Sequence, residues 1–223
     1  PALGLLTVIM GLIIIQPDYS TALMIGAIGV LILFIGGAQI SQLSLSGAGA
    51  LLIGIPVLLS REYRRIRIFS FFGIGDDPDA GYQASQSLIS LGNGGIFGVG
   101  LGNSIEKNHF LPTPHTDFIF AILAEEFGFL GVSLLIGIYL FIIGRGIMIA
   151  INAQDLFSRL LASSISLTFF VYVFVNIAMT TGLLPVVGVP LPLISSGGTS
   201  MVTIMIGLGM LISVQTHRRL VEK

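Results

Sequence analysis

The densest group of ionisable side chains in this sequence lies between residues 102 and 131. Its members are Glu106, Lys107, His109, His115, Asp117, Glu125 and Glu126. A positioned carboxylate can take a proton from a weak nucleophile, and a lysine can stabilise negative charge that develops on a leaving group. We therefore expect the chemistry of this protein in this stretch of chain.

Asp117 directly precedes an apolar stretch that is predicted to form a helix from Phe118 onward. Asp and Thr commonly cap helices, so Thr116 and Asp117 are both candidates for the N-cap. A capping role and a role as catalytic base are compatible, and both stay open at this point. At about 100° per residue, the small residues below Asp117 on the same helix face are Ala121, Ala124 and Gly128. Such a strip admits a closely packed helix, or leaves room for a lipid or sugar.

Two acidic side chains, Glu125 and Glu126, lie about two turns inside this apolar stretch. A charge at that depth is expected to be functional or to be paired, and an arginine is the candidate partner. The histidines and acidic residues before the helix could together bind a hard divalent cation, but their spacing matches no metalloenzyme motif. We predict no built-in metal site, and a magnesium or manganese ion that accompanies a phosphate group stays open as a cofactor.

An arginine cluster, REYRRIR at residues 61–67, directly follows another apolar stretch. If this segment is helical, Arg64 and Arg65 share one face with Arg61, and their guanidinium groups can bind phosphate. The alternative is that the cluster only anchors the chain at lipid headgroups.

Glycine and proline mark two irregular segments. The run LGNGGIFGVGLGN at residues 91–103 follows no predicted strand and precedes no GK[ST], so it does not fit a nucleotide-binding loop. We predict instead that it is a re-entrant or surface-hugging segment. In LLPVVGVPLPLISSGG at residues 183–198, three prolines and three glycines exclude one continuous helix. Irregular backbone at membrane depth must be buried in protein or must line a wet cavity.

The amino-acid composition indicates that these residues belong to a helical membrane protein. The 223 residues are 54% hydrophobic and only 9% charged, which excludes a soluble globular domain. A net charge of -1 gives no basic surface for nucleic acid, so no nucleic-acid partner is expected. We predict an all-α polytopic membrane protein, with residues 1–223 in a single integral-membrane domain. Its predicted spans, about six, cover roughly residues 1–15, 20–38, 43–60, 118–143, 160–181 and 199–215. A long loop at residues 61–117 connects the third span to the fourth.

Four segments of the sequence carry a specific family pattern. They are QPDYSTAL (16–23), GYQASQSLISLGNGGIFGVGLGNS (81–104), PHTDFIFAILAEEFGFLG (114–131) and LPVVGVPLPLISSGGTS (184–200). Together they resemble the SEDS polymerases of bacterial cell-wall synthesis, the group of RodA, FtsW and SpoVE. The most specific elements are HTDFIFA followed by AEE, and the later PLPLIS with its GG.

This resemblance implies a bundle of ten transmembrane helices in the bacterial inner membrane, of which this chain corresponds to the last six. It implies a cytoplasmic C-terminus and an extracytoplasmic loop at residues 61–117. Asp117 matches the family's extracytoplasmic aspartate, which is thought essential for glycosyl transfer. The implied substrate is lipid II, the undecaprenyl-pyrophosphate-linked disaccharide pentapeptide, and the implied partner is a class B penicillin-binding transpeptidase. The residues that we assign to substrate binding are Lys107, Arg64, Arg65 and His115.

Two other functions fit the same features. A transporter that flips the lipid-linked precursor would also contain interrupted helices and intramembrane carboxylates, although it would bind near the membrane midplane rather than at one interface. A noncatalytic membrane partner of the transpeptidase would use the glycine-rich and proline-rich segments only for docking. Incubation of the full-length protein with lipid II, with and without the transpeptidase, separates the three functions.

Overall fold

The computed structural model describes residues 2–16, 18–59, 62–71, 78–105, 107 and 116–221. Regular structure in this part of the chain is entirely helical. The helices are α1 (Ala2–Ile15), α2 (Tyr19–Ile35), α3 (Ile40–Leu59), α4 (Glu62–Phe71), α5 (Pro78–Gly94), α6 (Ile119–Ile151), α7 (Leu156–Thr180) and α8 (Gly198–Val221). Two of them, α4 and α5, lie within the predicted long loop.

Among the described residues, three segments are long and apolar enough to cross a membrane: Ile119–Ile151, Leu156–Thr180 and Gly198–Thr216. Two shorter apolar helices, Ala2–Ile15 and Tyr19–Ile35, accompany them. The prediction of an all-helical polytopic membrane protein is confirmed as far as the helical structure and the long apolar helices of the described residues go. The number of six spans and the position of the long loop relative to the membrane stay predictions.

The contacts group the chain into two compact units. The first contains Pro1–Arg65, Gly146–Val171 and Gly209–Lys223, and the second contains Ile66–Arg145 and Tyr172–Leu208. In the first unit, α1 packs against two glycines of α2. A Cβ added to Gly26 would lie 2.7 Å from Met10 Cε, and one added to Gly29 would lie 2.6 Å from Leu6 Cδ1. Glycine at these positions lets the two helices approach closely.

In the second unit, α6 is broken at Gly128, which has φ 65° and ψ −167°. The break frees backbone groups that a continuous helix would satisfy, and the glycine-rich segment at residues 95–100 pairs with them. The hydrogen bonds are Val99 N–H to Glu125 O (2.9 Å), Gly100 N–H to Glu126 O (3.1 Å), Phe129 N–H to Gly95 O (2.9 Å) and Leu130 N–H to Ile96 O (3.2 Å). Because backbone groups in an apolar environment must be paired, this pairing stabilises the break.

The small-residue strip at the start of α6 receives α5. Ala121 and Ala124 are buried, and Ser90 Oγ of α5 donates to Ala121 O at 3.2 Å. A Cβ added to Gly94 would lie 2.0 Å from Ala124 O, so only glycine fits there. Of the two uses that the sequence left open for this strip, close helix packing is the one observed.

The proline-rich segment connects α7 to α8 at residues 181–197 without helical structure, as its prolines and glycines predict. Leu191 and Pro192 are fully buried. Tyr139 Oη of α6 donates to Pro192 O at 2.7 Å and holds the segment against that helix. The irregular backbone is therefore buried in protein here, which is one of the two environments that membrane depth permits.

Candidate active site

Asp117 is partly buried and lies in the turn that leads into α6. The helix begins at Ile119, one residue later than predicted, and Phe118 O accepts the first helical hydrogen bonds, from Ala121 N–H (3.0 Å) and Ile122 N–H (3.3 Å). The N-cap is the residue whose carbonyl accepts the first such bond, so Phe118 occupies that position. Asp117 therefore precedes the cap, and the Phe118 side chain is buried.

Two buried side chains hold the backbone of this turn. Ser195 Oγ donates to Thr116 O at 2.5 Å and accepts from Leu191 N–H at 2.7 Å. Asn176 Nδ2, on α7, donates to Asp117 O at 2.9 Å and to Val189 O at 2.6 Å. Asn176 therefore links the backbone of the candidate catalytic residue to the proline-rich segment.

The Asp117 carboxylate faces the backbone of the proline-rich segment at Gly188. A Cβ added to Gly188 would lie 3.4 Å from Asp117 Oδ2, and Gly188 has φ +69°. A side chain at this position would be strained, because the positive φ favours glycine. Glycine therefore suits the backbone conformation that the Asp117 carboxylate faces.

Glu125 is almost fully buried, with only 1% of its surface exposed. Its Oε2 accepts from Ser90 Oγ at 3.0 Å and from Ser104 Oγ at 2.5 Å, and its Oε1 accepts from Ile105 N–H at 3.3 Å. Among the described residues, the partners of Glu125 are therefore hydroxyl and amide donors and not an arginine. This carboxylate ties α5 and residues 104–105 to α6.

Lys107 and Glu126 form a loose ion pair, with 3.9 Å between Lys107 Nζ and Glu126 Oε1. The Lys107 side chain is about one-third exposed, whereas that of Glu126 is nearly buried. Glu126 Oε1 has no hydrogen-bond partner among the residues that the structure describes. Lys107 N–H also donates to Ser104 Oγ at 3.1 Å, so the hydroxyl held by Glu125 fixes the backbone from which Lys107 extends.

The other predicted site residues are described only in part. His115 lies outside the described residues, as do Glu106 and His109. Arg64 and Arg65 lie in helix α4, so the helical segment on which their shared face depends is present. Arg65 is exposed. Both arginines belong to the first compact unit, whereas Asp117 and Lys107 belong to the second.

No group of three histidine, aspartate or glutamate side chains that could hold a metal ion occurs among the described residues. Since part of the histidine and acidic cluster lies outside them, the divalent cation stays an open prediction.

Sequence reasoning missed three residues that build this site: Ser195, Gly188 and Ser104. Ser195 and Gly188 lie in the proline-rich segment that had been recognised as irregular, but no local pattern marks which of its residues contact Asp117. Ser104 follows the glycine-rich run and resembles any polar loop residue in the sequence.

Comparison with known proteins identifies relatives along almost the whole chain. The FtsW/RodA/SpoVE family model, described as "Cell cycle protein", matches residues 1–220. The chain is 42% identical over 219 residues to peptidoglycan glycosyltransferase MrdB of Escherichia coli (strain K12), which covers 95% of this chain and 58% of that protein. It is 39% identical over 220 residues to stage V sporulation protein E of Bacillus subtilis (strain 168), with coverage of 98% and 60%.

A solved structure, "Structural coordination of polymerization and crosslinking by a peptidoglycan synthase complex", contains a chain of similar fold. The TM-score is 0.73 at 29% identity, and the match covers 94% of this chain and 59% of that chain. This chain thus spans less than two thirds of the length of these relatives. Because the family model matches nearly every residue, this chain belongs to the FtsW/RodA/SpoVE family, the SEDS family that its motifs resemble.

Proposed function

We propose that this chain carries the active site of a peptidoglycan glycosyltransferase that polymerises lipid II into glycan strands, with Asp117 as the general base. The observation that carries the proposal is the environment of Asp117, whose backbone is held by Asn176 and whose carboxylate lies beside the backbone of Gly188. A relative that is 42% identical is named a peptidoglycan glycosyltransferase, which supports the same reaction class.

The reaction joins a sugar hydroxyl of one lipid-linked molecule to the anomeric carbon of another. The Asp117 carboxylate takes the hydroxyl proton as the new oxygen–carbon bond forms. The bond from the anomeric carbon to the diphosphate breaks, and undecaprenyl diphosphate leaves with the bonding electron pair. A positioned base contributes about 10²- to 10⁴-fold to the rate of such a step. No nucleotide-activated sugar is needed for this chemistry.

Negative charge develops on the departing diphosphate and needs compensation. We assign this role to Lys107, whose amine is partly exposed and held only loosely by Glu126 at 3.9 Å. An amine in a long ion pair can exchange its carboxylate partner for a diphosphate at small cost. Arg64, Arg65 and His115 complete the proposed substrate-binding set, and a magnesium or manganese ion could assist them.

The proposed orientation follows from the substrate. Lipid II is polymerised outside the cytoplasm, so residues 61–117 and Asp117 lie on the extracytoplasmic side of the bacterial inner membrane in this proposal, and the C-terminus lies in the cytoplasm. The proposed partner is a class B penicillin-binding transpeptidase, which crosslinks the strands. A similar chain comes from a complex that coordinates polymerisation and crosslinking, which supports this pairing.

The decisive experiment gives purified full-length protein lipid II, with and without the transpeptidase, and measures glycan polymer. Polymer from the wild type supports the proposal. Transfer of lipid II across the membrane of vesicles without polymer formation would instead support the flippase. The absence of both activities would support a noncatalytic partner.

The Asp117→Asn variant tests the base directly. Asn keeps the size of the side chain but cannot accept a proton at neutral pH, so we expect the rate to fall about 10²- to 10⁴-fold. Expression, membrane insertion and partner binding should be unchanged. Near-normal polymerisation by Asp117→Asn would refute the assignment of Asp117 as base.

A further inference from the structure

Two consecutive backbone carbonyls flank the α-carbon of Asp117, and each accepts a hydrogen bond from a different buried side chain. Ser195 Oγ holds Thr116 O at 2.5 Å, and Asn176 Nδ2 holds Asp117 O at 2.9 Å. Asn176 is fully buried and Ser195 is 7% exposed. The two donors come from separate elements, the helix α7 and the proline-rich segment.

This arrangement determines the direction of the Asp117 side chain. Each peptide group is planar, so a carbonyl held in place fixes the orientation of its whole peptide plane. The planes on both sides of Asp117 are held, which leaves its φ and ψ little freedom. The bond from Cα to Cβ is thereby fixed, and with it the point from which the carboxylate extends towards Gly188.

Both donors are also linked to the segment that lies opposite the carboxylate. Ser195 accepts from Leu191 N–H, and Asn176 donates its second N–H to Val189 O, the neighbour of Gly188. The same two side chains therefore set the position of Asp117 and of the backbone that it faces. Loss of either donor removes one of the two hydrogen bonds that hold this turn, so the turn would be held less firmly.

We propose that Ser195 and Asn176 are positioning residues that fix the Asp117 carboxylate for proton transfer. This inference rests on the proposed function of Asp117 as the general base. Misplacement of a catalytic group by about 1 Å can cost up to about 100-fold in rate without loss of substrate binding. The proposal therefore predicts a loss in kcat rather than a rise in KM.

The test uses the full-length protein with its transpeptidase partner and lipid II. Ser195→Ala removes the donor, and Ser195→Thr retains the hydroxyl. Ser87→Ala is the matched control, because Ser87 is fully buried and also donates to a distant carbonyl, Thr180 O at 2.8 Å. Asn176→Leu removes the second donor in a side chain of similar size, so the test does not depend on the folding of one variant.

We expect Ser195→Ala and Asn176→Leu to lower kcat about tenfold or more with KM within about twofold of wild type. Ser195→Thr should recover much of the rate, and Ser87→Ala should match wild type at equal protein stability. Backbone amide exchange at residues 116–122 should become faster in Ser195→Ala but not in Ser87→Ala. An unchanged kcat in both donor variants would overturn the inference, as would a rise in KM alone.

The same measurements separate this inference from the proposed function. If wild type forms polymer and Asp117→Asn does not, normal kcat in the donor variants refutes the positioning role and leaves the function intact. If wild type forms no polymer, the function fails, and the exchange rates at residues 116–122 decide the positioning role. Unchanged exchange in Ser195→Ala then overturns it.

Discussion

Gly128 is the residue on which the break in α6 depends, and Gly128→Ala should destabilise the protein strongly. Its φ of 65° is a conformation that side chains rarely adopt, at a cost of about 1 to 2 kcal/mol. A Cβ there would also lie 2.3 Å from Gly98 N and 2.6 Å from Ile96 O. Both contacts are to backbone that is tied to α6, so the crowding adds about 1 to 3 kcal/mol. The expected loss in the free energy of unfolding is therefore about 2 to 5 kcal/mol.

The same helix provides a matched control in Gly137. A Cβ added to Gly137 would meet nothing within 4 Å, and its backbone is helical. Gly137→Ala should therefore be neutral or stabilising by up to about 1 kcal/mol, because alanine restricts the unfolded chain and favours the helix.

Both variants can be compared by unfolding the full-length protein in mixed detergent micelles of increasing SDS content. Amide exchange at residues 95–100 provides a local measurement, and it should become faster only in Gly128→Ala because the pairing with α6 is disturbed. Equal stability of the two alanine variants would refute the reasoning, since it would mean that α6 accommodates a side chain at Gly128 without loss of the pairing.

Two further predictions concern other charged residues. Glu125→Ala should cost about 3 to 6 kcal/mol in thermal or detergent unfolding, because it removes a buried acceptor of three hydrogen bonds. Glu125→Gln should cost less, about 1 to 3 kcal/mol, since its amide oxygen can still accept from Ser90 and Ser104 although its NH2 group cannot accept from Ile105 N–H, and equal losses in the two variants would contradict the hydrogen-bond arrangement. Lys107→Ala and Arg64→Ala should each raise the KM for lipid II several-fold, with a smaller effect on kcat. A substrate titration identical to wild type for both would leave these residues as membrane anchors only.

The local sequence was sufficient for the long apolar helices and for the choice of the candidate base. Apolar stretches of spanning length predict helices wherever they occur, and prolines at 185, 190 and 192 exclude a helix there because they remove backbone donors. Asp117 could be recognised because its position before an apolar helix and its motif are both encoded in neighbouring residues. The small-residue strip below it followed from helical periodicity alone.

Tertiary structure decided which distant groups meet. In the sequence, Gly128 looks like any packing glycine of a membrane helix, and only the pairing with residues 95–100 turns it into a break. The donors to Glu125 come from positions 20 to 35 residues away, and Ser195 reaches Thr116 across 79 residues. Periodicity is a property of neighbouring residues, whereas a hydrogen bond depends on where two segments are placed in space. The sequence by itself therefore determined the long apolar helices and the candidate carboxylate, and the packing of α5, α7 and the proline-rich segment against α6 determined how the backbone of that residue is held.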